Sequence, residues 1–174
     1  MRVVVPAEGK AGEKRVALLP DIISKLTKAG LSVSIESGAG IHAGASDESY
    51  IEQGATIFSA SDQRKELAGA DVILSVQPLS PDQASNLKNG AITISFLSNA
   101  SAKESIDALA KSGATAFSLE ALPRISRAQS MDALTSQALC AGYKAALVAA
   151  ELSPRFFPLP VSYTHLTLPT NREV

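Results

Sequence analysis

The chain has 174 residues, 45% of them hydrophobic and 19% charged, enough apolar material for one buried core and the wrong composition for disorder, collagen or a coiled coil. Sixteen basic against 17 acidic side chains leave a net charge of −1, so a nucleic-acid surface has no electrostatic support. The longest uninterrupted apolar stretch, Ala145 to Ala150, falls far below the roughly 18 residues of a spanning helix, and the N-terminus reads without a secretion signal. Cys140 is the sole cysteine, which excludes an internal disulfide or a zinc cage and suits a reducing compartment.

In chain order, apolar β-branched runs alternate with helical periods. Val3 to Val5, Val33 to Ile35, Thr56 to Phe58, Val72 to Val76, Ile92 to Phe96 and Thr115 to Leu119 read as strands. Ile22, Ile23, Leu26 and Ala29 follow a helical period from Pro20-Asp21 to Gly30, and Ile106, Leu109 and Ala110 do so up to Gly113, each glycine being the expected stop. Several strands are continuous apolar runs, the pattern of burial on both faces of a parallel sheet. The expected fold is therefore α/β: a doubly wound, Rossmann-like or flavodoxin-like, mostly parallel sheet with helices on both faces. Asp132 to Leu152 carries Leu134, Ala138, Ala141, Ala145, Val148 and Leu152 on one stripe and reads as a long packing helix. The expected organisation is an α/β domain over residues 1–159 and an unstructured tail over 160–174. That tail has no helical period and an excess of Thr, Pro and Asn. It reads as translated vector or adaptor sequence closing a truncated open reading frame, or else as a short disordered terminus, so His165 is not offered as a catalytic residue.

Four local patterns bear on chemistry. Gly38-Ala39-Gly40-Ile41-His42-Ala43 satisfies G-x-G-x-x-A, but no helix starts directly behind it and no ribose-binding acid follows. It reads as a strand-to-helix turn, with His42 solvated. Glu13-Lys14-Arg15-Val16-Ala17 lies between the first strand and first helix, on the side where open α/β sheets bind ligands. There Arg15 is either a clamp for a carboxylate or, the better-supported alternative, a surface arginine paired with Glu13 or Glu8. Pro123-Arg124-Ile125-Ser126-Arg127-Ala128-Gln129-Ser130-Met131-Asp132 gathers planar donors, an amide and a carboxylate at one strand end, suited to a ligand with phosphate, amide and hydroxyl groups. Its alternative is a capping box of Ser126 and Gln129, with Asp132 favouring the next helix N-terminus. The histidines are two, His42 and His165, so no serine, cysteine or histidine triad is supported and hydrolase readings fall away.

The loop from Pro123 to Leu134, continued by Ser136-Gln137 and Ala141-Gly142-Tyr143-Lys144-Ala145, closely resembles the first domain of the proton-translocating NAD(P) transhydrogenase alpha subunit. Glu13 to Ala17 and Glu36-Ser37-Gly38-Ala39-Gly40 resemble motifs this family shares with alanine dehydrogenase. The resemblance covers residues 1 to about 159, and implies a protein that passes hydride from NADH to NADP⁺ held on a partner domain, coupled through a membrane subunit to proton movement. It further implies NAD(H) contacts from Arg124, Gln129 and Asp132, which the family also uses for its chemistry, with lesser ones from Ser126 and Thr135. Arg15 has a substrate-binding counterpart in the wider family. The implied cofactors are NAD(H) here and NADP(H) on the partner. The implied partners are the beta subunit with its NADP-binding domain, a membrane domain and a second copy in a homodimer, on the cytoplasmic side of the inner membrane. In the family a second α/β domain bearing the main G-x-G-x-x-G follows, so the isolated chain is expected to be inactive. Alanine dehydrogenase is the rival reading; it needs a Lys and a His near the ends of the fourth and fifth strands, where this chain has Gln77 and Ser98. A non-catalytic α/β fragment is a third reading.

Overall fold

The computed structural model describes residues 1–97 and 101–155. Six parallel strands form one sheet: β1 (Arg2–Val5), β2 (Ser32–Glu36), β3 (Thr56–Phe58), β4 (Val72–Leu74), β5 (Ile92–Ser95) and β6 (Thr115–Ser118), in the spatial order β3-β2-β1-β4-β5-β6. The helices are α1 (Pro20–Lys28), α2 (Asp47–Glu52), α3 (Gln63–Gly69), α4 (Pro81–Ser85), α5 (Lys103–Ser112) and α6 (Ala133–Leu152). All six expected strands form, and the doubly wound α/β reading holds. Chain contacts divide the protein into two units, Met1–Asp132 and Ala133–Val174.

Side chains alternate across a strand, and this separates two cores. Val3 and Val5 of β1, Val33 and Ile35 of β2, Ile57, Val72 and Leu74 pack with Ile23 of α1 and Tyr50 of α2. Val4, Phe58 and Ile73 pack with Leu67 of α3, Ala84 of α4 and Leu109 of α5. Helices therefore cover both faces, and Val3, Val4 and Val5 are all buried, as a continuous apolar run in a central parallel strand requires. Each such side chain contributes about 1.5–3 kcal/mol by leaving water.

Helix ends follow local chemistry. Pro20 opens α1 with a preset φ, Asp21 lies in its first turn and Lys25 and Lys28 in its last, complementing the helix dipole. Gly113 ends α5 at φ +73, a left-handed conformation that residues with a Cβ rarely adopt. At the amino-terminal ends of the strands Arg2 pairs with Glu66 and Lys88 with Asp71, while the Arg2 backbone N–H donates to Asp71 Oδ2 at 2.6 Å.

The order reverses between β1 and β4, so the loops leaving their carboxyl ends, after Val5 and after Leu74, diverge and leave a crevice. The second unit is described through its 20-residue helix α6, none of whose residues is buried. The end of the chain expected to be an unstructured tail, with His165, lies outside the described residues.

Candidate functional site

Two clefts open at the carboxyl ends of the strands. The first, about 420 Å³, lies at the β1/β4 switch and is lined by Glu8, Lys10, Ser75, Gln77, Gln83 and Ser105 among others. Glu8 closes its floor by accepting the backbone N–H groups of Val76 at 2.6 Å and Gln77 at 3.0 Å. Burial nevertheless raises the Glu8 carboxyl above its ordinary range, against the pull of those two amides. Behind it, Arg15 pairs with Glu13, as the more ordinary of the two sequence readings has it. The hydrogen bonds from Arg15 hold the Glu13 carboxyl down to about 2, and Glu13 in turn raises the Arg15 guanidinium.

The second cleft, about 260 Å³, is formed by the segment after β6 and is lined by Arg124, Ser126, Gln129 and Asp132 with Pro123 and Ala128. A short 3₁₀ turn, Ser126–Met131, shapes it. Ala128 is buried and anchors the turn, its N–H donating to the Ile125 carbonyl at 2.9 Å, while the Asp132 N–H reaches the Gln129 carbonyl at 3.3 Å. Arg124, Ser126 and Gln129 are exposed and Asp132 is half-buried. The approach to this segment is tied to the end of β5 by Glu120, whose two carboxylate oxygens accept the Leu97 N–H at 2.9 and 3.1 Å. Four of the five residues expected at the cofactor thus line one cavity. Thr135 lies on α6, in the other unit.

The capping-box alternative for this loop is not realised. Ile125, extended and without a hydroxyl, occupies the capping position, and no side-chain cap bond forms there. A capping box does form at Ser80 and Gln83, which the sequence reading passes over.

The G-x-G-x-x-A segment is a structural turn. Asp47 accepts the Gly38 N–H at 2.9 Å and the Ser37 hydroxyl at 2.7 Å, so an internal carboxylate takes the amide a phosphate would need. A Cβ on Gly40 would stand 2.7 Å from the Tyr50 ring and 2.8 Å from the Ala45 carbonyl oxygen; this glycine serves close packing. His42 is exposed, as expected. Glu36, at the end of β2 where a ribose-binding acid often sits, is buried and accepts the Ala7 N–H at 2.9 Å and the Gln63 amide at 2.7 Å.

Among the described residues no group of His, Cys, Asp and Glu is placed to hold a metal ion, and no helix is long and apolar enough to cross a membrane. Strand order and switch-point crevice together define a Rossmann-ordered α/β domain with polar clefts at its strand ends. The chain belongs to the alanine dehydrogenase/PNT N-terminal domain family, which it matches over residues 4–141. It is 38% identical over 164 residues to an NAD(P) transhydrogenase subunit alpha chain of Rhodospirillum rubrum, covering 91% of this chain and 42% of that protein. Alanine dehydrogenase 1 of Staphylococcus aureus is 33% identical, over 88% of this chain and 39% of its own length. The crystal structure of a transhydrogenase from Sinorhizobium meliloti superposes with a TM-score of 0.83 at 38% identity, over 91% of this chain and 47% of that one. The chain spans less than half the length of these relatives.

Proposed function

We propose that this chain is the first domain of an NAD(P) transhydrogenase alpha subunit, and that Arg124, Ser126, Gln129 and Asp132 form one wall of its NAD(H) site, with Thr135 a further contact. The observation that carries the reading is the convergence of a guanidinium, a hydroxyl, a primary amide and a carboxylate on a single cleft at the strand ends, in a chain similar to transhydrogenase alpha subunits over nine-tenths of its length. That donor set fits a nicotinamide nucleotide. Arg124 would donate to phosphate oxygens, Gln129 would pair donor to acceptor with a carboxamide, and Asp132 and Ser126 would accept from and donate to sugar hydroxyls.

When bound, the nucleotide supplies the hydride. The chain's own part is to orient: hydride passes between two nicotinamide rings, so the protein aligns them and excludes water, with no acid or base obligatory. The acceptor, NADP⁺, is held on a partner domain, and coupling to proton movement belongs to a membrane subunit on whose cytoplasmic side this domain works, as one half of a homodimer. The loop supplies only one wall of the cleft, so the isolated chain should bind NADH weakly or not at all.

The alanine dehydrogenase reading is favoured by the relatives of that name. Against it stands Gln77, a neutral amide already engaged by Glu13, where imine chemistry needs a charged clamp. Ser98, its companion position, lies outside the described residues. The test uses a full-length subunit carrying this domain with an NADP-binding partner. We expect reduction of an NADP⁺ analogue and no NADH oxidation driven by pyruvate and ammonium, with Gln129→Ala slowing stopped-flow hydride transfer about 10²-fold through misplacement of the reacting carbon. Robust pyruvate-dependent turnover, or a wild-type rate in Gln129→Ala, would overturn the reading.

A further inference from the structure

Phe96 and Leu97 follow β5 directly, and successive N–H groups along a strand point to opposite neighbours. The Phe96 N–H turns toward the β4 side and donates to the Val76 carbonyl at 3.1 Å, so the Leu97 N–H turns toward β6. There the ladder has stopped: its last register pair is Ser95 with Ser118, and the chain enters a 3₁₀ turn at Leu119–Ala121. Glu120, in that turn, supplies the missing acceptor, with Oε1 at 2.9 Å and Oε2 at 3.1 Å from the Leu97 nitrogen. Leu97 is buried, and its side chain belongs to the core cluster of Val4, Ile73 and Leu109. An amide in that position needs a partner, and a carboxylate is a stronger one than a carbonyl.

Glu120 thus fixes the start of the segment to β5, and buried Ala128 fixes its middle. From Pro123 to Arg127 every residue between them is exposed. Arg124 and Ser126 of the second cleft lie in this span, while Gln129 and Asp132 lie beyond Ala128. We propose that Glu120 is a positioning residue of the NAD(H) site: by standing in for a strand carbonyl it sets the angle at which the segment leaves the sheet, and so places Arg124 and Ser126 for the phosphate and sugar groups of the nucleotide. The inference rests on the reading of that cleft as a wall of the NAD(H) site.

Side-chain length decides the geometry. An aspartate carries the same charge on a side chain one methylene shorter, so it reaches Leu97 only by drawing the segment toward β5. A glutamine keeps the length, and its carbonyl oxygen accepts the same N–H with one oxygen in place of two. Because Ala128 holds the far end, the displacement falls on Arg124 and Ser126 and spares Gln129. Nucleotide binding therefore suffers before hydride transfer does, since groups that touch only phosphate and sugar hold ground state and transition state alike.

The test has two arms. In the 174-residue chain, amide NMR reads the positioning without any ligand: Glu120→Asp should shift the Leu97 N–H and the amides of residues 121–126 and leave that of Gln129 in place, while Glu120→Gln should shift chiefly Leu97. In a full-length subunit carrying this domain, Glu120→Asp should raise the NADH Kd about tenfold, the scale of one misplaced hydrogen bond to a charged group. With an NADP-binding partner present, its stopped-flow hydride-transfer rate at saturating NADH should stay within about threefold of wild type, and Glu120→Gln should restore most of the affinity. Should Glu120→Asp not fold, Glu120→Gln carries the test through the Leu97 resonance and a Kd rise of about two- to threefold. An unshifted Leu97 amide, an unchanged Kd, or affinity and rate lost together would overturn the proposal. Failure of the cofactor reading shows separately, as a wild-type subunit that binds no NADH or turns over pyruvate, whatever the amide shifts.

Discussion

Glu13 makes the stability of the fold depend on pH. Its carboxyl is held down to about 2, first by hydrogen bonds from Arg15 and against the opposing effect of burial, whereas in the unfolded chain it titrates near the ordinary 4.5. A depressed folded-state value means that the charged form stabilises the fold. That stabilisation is complete above the unfolded value and is lost as pH falls from about 4.5 toward 2. We expect Glu13→Gln to be less stable than wild type at pH 7, with the difference closing over that window, as urea titrations at a series of pH values would read. Glu8 runs the other way: burial raises it, so its protonation on acidification favours the folded state. A second residue-scale case is Gly40. A methyl group there meets the Tyr50 ring and the Ala45 carbonyl oxygen, and the Tyr50 hydroxyl is itself committed to the Leu18 carbonyl at 2.7 Å. Gly40→Ala should cost about 1–3 kcal/mol of unfolding free energy by urea titration; an unchanged midpoint would mean that the turn opens freely.

At the scale of elements, two segments share the spacing Ser-x-x-Gln and behave differently. Ser80-Pro81-Asp82-Gln83 makes the full reciprocal box: the Gln83 N–H donates to Ser80 Oγ at 3.2 Å and the Ser80 N–H donates to Gln83 Oε1 at 2.9 Å. Pro81 at the first helical position presets the backbone, and Ser80 is extended as a cap must be. Ser126-Arg127-Ala128-Gln129 lacks the proline and enters a 3₁₀ turn with Ser126 already inside it, which leaves Gln129 exposed at the cleft. Ser80→Ala should therefore destabilise by about 0.5–2 kcal/mol, while Ser126→Ala should change stability by no more than about 0.5 kcal/mol. Thermal unfolding of the two variants checks the contrast, and equal losses would reinstate the cap at Ser126.

At the scale of the first unit, the sheet carries two cores on opposite faces. Ile35 on β2 and Ile73 on β4 are both essentially unexposed and belong to different clusters, with β1 between their strands. Ile35→Val and Ile73→Val should each cost about 0.5–1.5 kcal/mol. Because the two side chains share no partner, the double variant should lose their sum to within about 0.5 kcal/mol. A larger coupling by denaturant unfolding would show that strain passes through β1 from face to face.

Six strands, α1, α5 and α6 were legible in the amino-acid sequence because each carries its own local signal: β-branched apolar runs, a helical period, a proline before or a glycine after. The helices α2, α3 and α4 run to five to seven residues, too short to display a period, and capping serines, Ser46 and Ser80, mark two of them. The loop from Pro123 to Asp132 stands out by its chemistry, since guanidinium, amide and carboxylate are intrinsic to the residue, while the choice of Arg124, Ser126, Gln129 and Asp132 within it comes from the resemblance to the transhydrogenase family. That they line one cavity, that Gln77 reaches Glu13 across 64 positions, and that Glu8 serves the loop after β4 instead of Arg15's side chain, was decided by tertiary structure alone. Hydrogen-bond partners distant in sequence are chosen by which strands lie side by side, and neighbouring residues hold no record of that choice.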